Sequence, residues 1–314
     1  MGSDRAPPLG TGGAASLTAV GSAFGLPAHD AAALYVGMFG GAEPLAAYPA
    51  RIPFSSALCR QLHFSLDQYR YWARAIREPP LFHRKQWEFV YIAQALFERR
   101  MLARGRRGLA FGVGKEPLPS LFASLGCEIV ATDQNLESAQ RAGWVQTNEH
   151  SSDLSALNER GICPPDLFAQ AVRFEELDMN AIPSKFDAGF DFCWSACSLE
   201  HLGSLRHGMD FVINSMRVLK PGGVAIHTTE FNLSSNDDTI EARDLAIYRR
   251  RDIESLIGEL TRQGYVVEPL DLSPDQGFAE RVVDLPPFSR GEPHIRLQIG
   301  NYDCTSIGLI ITAP

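Results

Sequence analysis

The spacing of hydrophobic positions changes several times along this 314-residue chain, and each change marks an element. Between residues 56 and 76, apolar and aromatic side chains recur at helical spacing and stop before Glu78-Pro79-Pro80. This predicts a helix that docks on a neighbour. The same period continues through 82–97 and predicts a long amphipathic helix. Beyond it the pattern shortens to compact apolar runs bounded by Gly, Pro, Asn and Asp, as buried strands require. Strands are predicted at 108–111, 128–132, 171–174, 190–194, 223–229, 265–270 and 305–311, with helices at 118–125, 206–218 and 251–263. Strands alternating with helices imply an α/β fold with a mainly parallel sheet and ligands beyond the strands' C-terminal ends.

Upstream the pattern is weaker. Residues 1–29 are rich in Gly, Ala, Ser and Pro and read as a flexible leader; Gly21 and Gly25 break the apolar part, which argues against a signal peptide. Residues 30–83 read as an N-terminal helical extension, with short helices at 30–38 and 44–50 on either side of Gly40-Gly41, and 84–314 as one α/β domain. The stretch from Asn135 to Ala169 is longer than a minimal helix connection and carries Trp144, Gln146, His150 and Cys163-Pro164-Pro165. Loops of that length in compact domains are commonly functional.

Composition narrows the function. The chain is 45% hydrophobic, enough for a substantial core, and its formal charge of −8 lacks the basic face that a nucleic-acid partner needs. Arg99, Arg100, Arg104, Arg106 and Arg107 cluster where a predicted helix ends and cations suit its dipole. The six cysteines show no Cys-x-x-Cys spacing and read as reduced thiols of a cytoplasmic protein. No apolar run is long enough to predict a membrane span.

The candidate chemistry begins at Gly108-Leu-Ala-Phe-Gly112-Val-Gly114, a strand leading into a glycine turn and a helix. The next strand ends in Asp133. Glycines let backbone approach a ligand, a helix N-terminus offers free N–H groups, and the terminal acid suits a ribose. Further on come Asp178-Met179, then Ser198-Leu-Glu200-His201-Leu202, then Arg217-Val-Leu-Lys-Pro-Gly-Gly223. In this order the motifs resemble the class I S-adenosylmethionine-dependent methyltransferases, over roughly residues 84–314.

That resemblance implies a Rossmann-like sheet of seven strands, mainly parallel, with helices on both faces, a final antiparallel strand and an N-terminal helical cap. It implies S-adenosyl-L-methionine as cofactor, held by Phe111, Gly112, Gly114, Glu116, Asp133, Gln134, Asp178, Met179, Trp194 and Ser195. The family usually carries an acid two positions before the first glycine. Ala110 stands there, so the donor's ammonium group needs another acceptor, such as Glu116 or backbone carbonyls near Trp194 and Ser195.

For the chemistry itself the candidates are His201, Glu200, His227 and Glu230. His201 is the first choice for a general base, because imidazole titrates near neutral pH. The strand ending His227-Thr-Thr-Glu230 is expected to bring His227 and Glu230 to the same mouth. Small-RNA 2′-O-methyltransferases set a comparable Glu-His pair and a distant His around a metal. Cys197 stands where that motif has its first Glu, so Glu200, His201, His227 and Glu230 are retained only as candidate ligands and no metal is assigned. Arg84, Lys85, Gln86 and Trp87 either grip donor or acceptor or belong to a stripe packed on the sheet. Arg249, Arg250 and Arg251 are candidates for holding an anionic acceptor group.

The expected reaction is O-methylation of a small polar metabolite or glycan hydroxyl. N-methylation, a non-catalytic donor-binding protein and a nicotinamide-dependent oxidoreductase are the alternatives; the last leaves Asp178-Met179 and the Lys-Pro-Gly-Gly turn unexplained.

Overall fold

The computed structural model describes residues 54–134, 154–273, 277–288 and 291–314. The predicted leader, the short helices at 30–38 and 44–50, and Trp144, Gln146 and His150 lie outside them. In chain order the elements are β1 (Ser56–Leu58), α1 (Gln61–Phe64), α2 (Asp67–Ala75), α3 (Arg84–Glu98), β2 (Arg107–Phe111), α4 (Leu118–Ser124), β3 (Glu128–Asp133), α5 (Pro165–Ala171) and β4 (Val172–Glu176). Then follow β5 (Phe190–Ala196), α6 (Leu205–Ser215), β6 (Leu219–Asn232), α7 (Arg250–Arg262), β7 (Val266–Val267), β8 (Leu270–Asp271), β9 (Val283–Asp284), β10 (Arg296–Ile299) and β11 (Tyr302–Thr312).

The sheet runs β4-β3-β2-β5-β6-β11-β1-β8, with β7 and β10 also pairing to β11 and β9 pairing to β10. The five strands from β4 to β6 are parallel, and β11 joins β6 antiparallel along Cys304–Thr312. The Rossmann-like α/β expectation therefore holds, but the described residues form eleven strands rather than seven. The extra strands are two to four residues long, too short to show a period of their own. The predicted strand at 265–270 is one such case, broken into β7 and β8.

Alternation along the strands divides the interior in two. On one face Ala110, Trp194, Ile226 and Ile310 meet the helical layer containing α3 and α4. On the other, Phe111, Cys193, Ala225 and Ile311 meet α6 and α7. No helix among the described residues is long and apolar enough to cross a membrane.

Two expectations need correction. The helix predicted over 56–76 begins as a strand: Ser56–Leu58 pairs with β11 and β8, and only 61–64 and 67–75 are helical. The helix predicted over 82–97 is not amphipathic in its surroundings, because every residue from Gln86 to Leu96 is buried. Its polar groups are matched instead by partners on the covering segment. The Tyr69 hydroxyl donates to Gln86 Oε1 at 2.9 Å, Trp72 Nε1 to Gln94 Oε1 at 2.7 Å, and Trp87 Nε1 to His63 Nδ1 at 2.9 Å. A buried helix keeps polar side chains only when each finds such a partner.

The α3 layer lies very close to the sheet at Gly308, where an added Cβ would sit 2.2 Å from the Tyr91 ring. Tyr91 cannot readily retreat, since its hydroxyl donates to the Ser55 carbonyl at 2.8 Å. Gly308→Ala is therefore expected to destabilise the fold by about 1–3 kcal/mol, read as a lower urea midpoint at unchanged slope.

Candidate functional site

The C-terminal ends of β2, β3, β5 and β6 open into a cleft of about 910 Å³. An open parallel sheet binds ligands at this edge because loops diverge there on opposite faces. At one end of the cleft, Gly112 and Gly114 both adopt the left-handed backbone region, with φ of +61° and +47°. A Cβ on Gly112 would come within 2.8 Å of Ser198 Oγ and 3.3 Å of Met179 Sδ. Only glycine lets the three loops close round this space.

Asp133 closes the turn. Its Oδ2 accepts from Gly114 N and its Oδ1 from Gln134 N, both at 2.8 Å. Gly112, Gly114, Glu116, Asp133, Gln134, Asp178 and Met179 all line the cleft. This is a cradle of the shape and chemistry that an adenosyl group with its amino-acid tail requires.

Phe111, Trp194 and Ser195 do not line it. Phe111 packs edge-on to Phe211 beneath the sheet, and Ser195 Oγ bonds His227 Nδ1 at 2.8 Å. The wall is made instead by Ala196, Cys197 and Ser198, the residues that follow as β5 ends. A strand side chain can face a ligand at the sheet edge only from the last position or beyond.

Trp194 acts indirectly, its Nε1 donating to Glu116 Oε1 at 2.6 Å. Burial pushes the Glu116 carboxyl up to about 8, against the lowering effects of Trp194 and Lys85.

At the other end, the first turn of α3 meets the ends of β5, β6 and β11. Arg84 pairs with Glu230 at 2.5 Å and Glu88 at 3.3 Å, and donates to Ser306 Oγ at 3.1 Å. Lys85 donates to the Ala196 carbonyl at 2.9 Å and lies 3.3 Å from Glu88. Burial alone would push Glu88 up, but Lys85, Arg84 and hydrogen bonds from Cys197 and Ser306 outweigh it and hold its carboxyl below the ordinary value. Burial would discharge Arg84 and Lys85, yet the surrounding carboxylates keep both firmly protonated.

Glu230 is less fully compensated. Burial raises it to about 7 despite Arg84. Of the four residues at the start of α3, Arg84 and Lys85 line the cleft, whereas Gln86 is bonded to Tyr69 on α2 and Trp87 to His63 on α1. Glu88 went unrecognised from sequence. The available signal was an acid inside an apolar helix, three and four residues after two cations.

Glu200 and His201 both line the cleft. Glu200 Oε2 accepts from Thr229 Oγ1 at 3.0 Å. His201 Nδ1 lies 2.6 Å from the Asp244 carbonyl; a carbonyl only accepts, so Nδ1 carries a proton.

His227 is a correction. It is 1% exposed and held between Ser195 Oγ at 2.8 Å and Ser215 Oγ at 3.1 Å, and burial lowers its pKa to about 3. Glu230 lies three positions further on, an odd offset, so the two project from opposite faces of β6. His227 therefore packs against α6 while Glu230 faces α3. The candidate metal set changes accordingly: one ligand atom each from Cys197, Glu200 and Glu230 lie within 4.8 Å of one another, without either histidine. The Arg84 guanidinium already pairs with this group. Arg249, Arg250 and Arg251 do not line the cleft; they pair with Asp252, Glu254 and Asp237.

Because the folded-state pKa of Glu116 is raised, its burial costs nothing while it is neutral. Stability is lost as pH rises from the ordinary carboxylate range through about 8. Glu116→Gln, which keeps an acceptor for Trp194, should melt with the wild type at pH 5 and above it at pH 9. Parallel thermal melts check this.

Residues 109–227 match a family model described as a methyltransferase domain. No curated protein matches the sequence. Similar solved structures include a Bacillus halodurans C-125 protein assigned as a methyltransferase, at 15% identity over 70% of this chain and 98% of that one, with a TM-score of 0.41. An S-adenosylmethionine-dependent methyltransferase from Aquifex aeolicus is 16% identical over 70% and 88% of the two chains, with a TM-score of 0.38. Another from Mesorhizobium loti is 13% identical over 69% and 95%, with a TM-score of 0.40. On the match and the order of its motifs round one cleft, residues 109–227 form a methyltransferase domain, with S-adenosylmethionine as its cofactor.

Proposed function

We propose that this enzyme transfers a methyl group to a hydroxyl of a small polar metabolite or glycan, with His201 as general base. S-adenosylmethionine supplies a methyl already activated on a sulfonium, so the protein's work is alignment and proton removal. In this reading Asp133 and Gln134 take the ribose and adenine edge, Asp178 and Met179 the adenine, and the Gly112–Gly114 turn the amino-acid tail. Glu116 substitutes for the acid missing at Ala110 and accepts from the donor's ammonium group.

The observation that carries an oxygen acceptor is the 2.6 Å contact of His201 Nδ1 with the Asp244 carbonyl. With Nδ1 donating there, the neutral ring can take a proton only at Nε2, and His201 lines the cleft. The backbone is braced as well, since Ala246 N donates to the Glu200 carbonyl at 2.8 Å. Glu200 and Glu230 orient the acceptor. We further read 84–314 as the catalytic domain, 30–83 as an N-terminal extension, and the cytoplasm as its location.

Calorimetric titration with S-adenosylmethionine and S-adenosylhomocysteine tests the donor site. Asp133→Ala should weaken both by about 10- to 100-fold, the value of one or two charge-assisted hydrogen bonds. At pH 7, donor binding should release a proton in the wild type and not in Glu116→Gln, because an ammonium partner favours the ionised carboxylate.

For the chemical step, turnover is read with labelled S-adenosylmethionine and a panel of polyols, sugars and amines. His201→Gln should lower kcat about 10²- to 10⁴-fold with donor affinity unchanged. Unimpaired turnover in that variant, or methylation of amines alone, would sink the O-methyl reading.

A further inference from the structure

The acceptor end of the cleft holds an unbalanced charge. Three buried carboxylates, Glu88, Glu200 and Glu230, face two cations, Arg84 and Lys85. Three carboxylate oxygens there lack a hydrogen-bond partner, Glu88 Oε2, Glu200 Oε1 and Glu230 Oε2, as does one donor, Arg84 Nε; of the three oxygens Glu88 Oε2 lies beside a cation, 3.3 Å from Lys85 Nζ, and Glu200 and Glu230 are only 1% and 5% exposed. Each carboxylate is already fixed by its other oxygen, Glu200 through Thr229 and Glu230 through Arg84. Glu200 and Glu230 each place one carboxylate oxygen, together with the Cys197 sulfur, within 4.8 Å of one another.

A buried carboxylate oxygen left without a donor is costly, and a net buried charge is more so. Both costs vanish together if the ligand brings hydrogen-bond donors and one positive charge. A neutral diol would satisfy the oxygens and leave the charge; an anionic acceptor would worsen it.

Resting on the O-methyl reading above, we infer that the acceptor carries an ammonium group beside its reactive hydroxyl, as in an amino alcohol or amino sugar. The ammonium seats between Glu200 and Glu230, and the neighbouring hydroxyl is thereby directed to the His201 side of the cleft. This arrangement also separates the two nitrogen and oxygen candidates: the amine is held as a cation with no lone pair, so the hydroxyl is the nucleophile.

The test uses the full chain loaded with S-adenosylhomocysteine, which has no sulfonium charge to compete. Competition calorimetry compares ethanolamine with ethylene glycol, and D-glucosamine with D-glucose. The cationic member of each pair should bind about ten-fold more tightly or better, given the added strength of a charge-assisted hydrogen bond. Glu200→Gln should reduce the preference to about two-fold or less, with affinity for S-adenosylhomocysteine retained; Glu230→Gln serves as a second variant.

Equal binding within each pair, or no binding by either member, would overturn the inference. So would a Glu200→Gln variant that loses S-adenosylmethionine affinity but not S-adenosylhomocysteine affinity, because the carboxylates would then serve the donor's sulfonium. Failure of the wild type to bind S-adenosylhomocysteine at all would instead remove the donor site, and both readings with it.

Discussion

The buried ion network around Arg84 fixes the geometry on which the rest of the cleft depends. A guanidinium at that depth is tolerable only with carboxylates in contact, and a carboxylate there only with donors. Arg84 therefore ties the first turn of α3 to Glu88 on its own helix, to Glu230 at the end of β6 and to Ser306 on β11. Moving any one element by a side chain's length would strand a charge in the interior. The backbone reinforces the position, since Arg84 N donates to the His294 carbonyl at 2.9 Å and His294 N to Phe82 O at 2.8 Å.

The same constraint sorts the two ends of the cleft by chemistry. One end is shaped by backbone: glycines in the left-handed region, Asp133 accepting from Gly114 N, and a wall closed by Met179 and Ser198. The acceptor end is shaped by charge. Between them stands Glu116, clamped by Trp194 and largely dehydrated, whose ionisation is sensitive to any cation brought near.

How much of this was readable depended on range. The five parallel strands and β11 are long enough for alternation to reveal them, and the glycine turn, Asp133 and Asp178-Met179 carry local backbone requirements that any sequence must spell out. By contrast β1 was hidden inside a helical pattern, because three residues show no period and their pairing partners, Gly308 and Leu270 among them, lie over two hundred positions away. His227 was misplaced for a related reason. Its identity advertised chemistry, while its parity with Ala225 put it under the sheet, where two serines use it as a strut.

The sequence by itself determined the fold class, the donor cradle and the candidates His201, Glu200 and Glu230, since periodicity and turn chemistry act over a few residues. Only the tertiary structure decided which charged groups share a site. Arg84, Glu88, Cys197, Glu200 and Glu230 come from three separate segments, and their effect is electrostatic: burial in a shared low-dielectric space makes each depend on the others. That dependence exists only once α3 has docked on the ends of β5, β6 and β11.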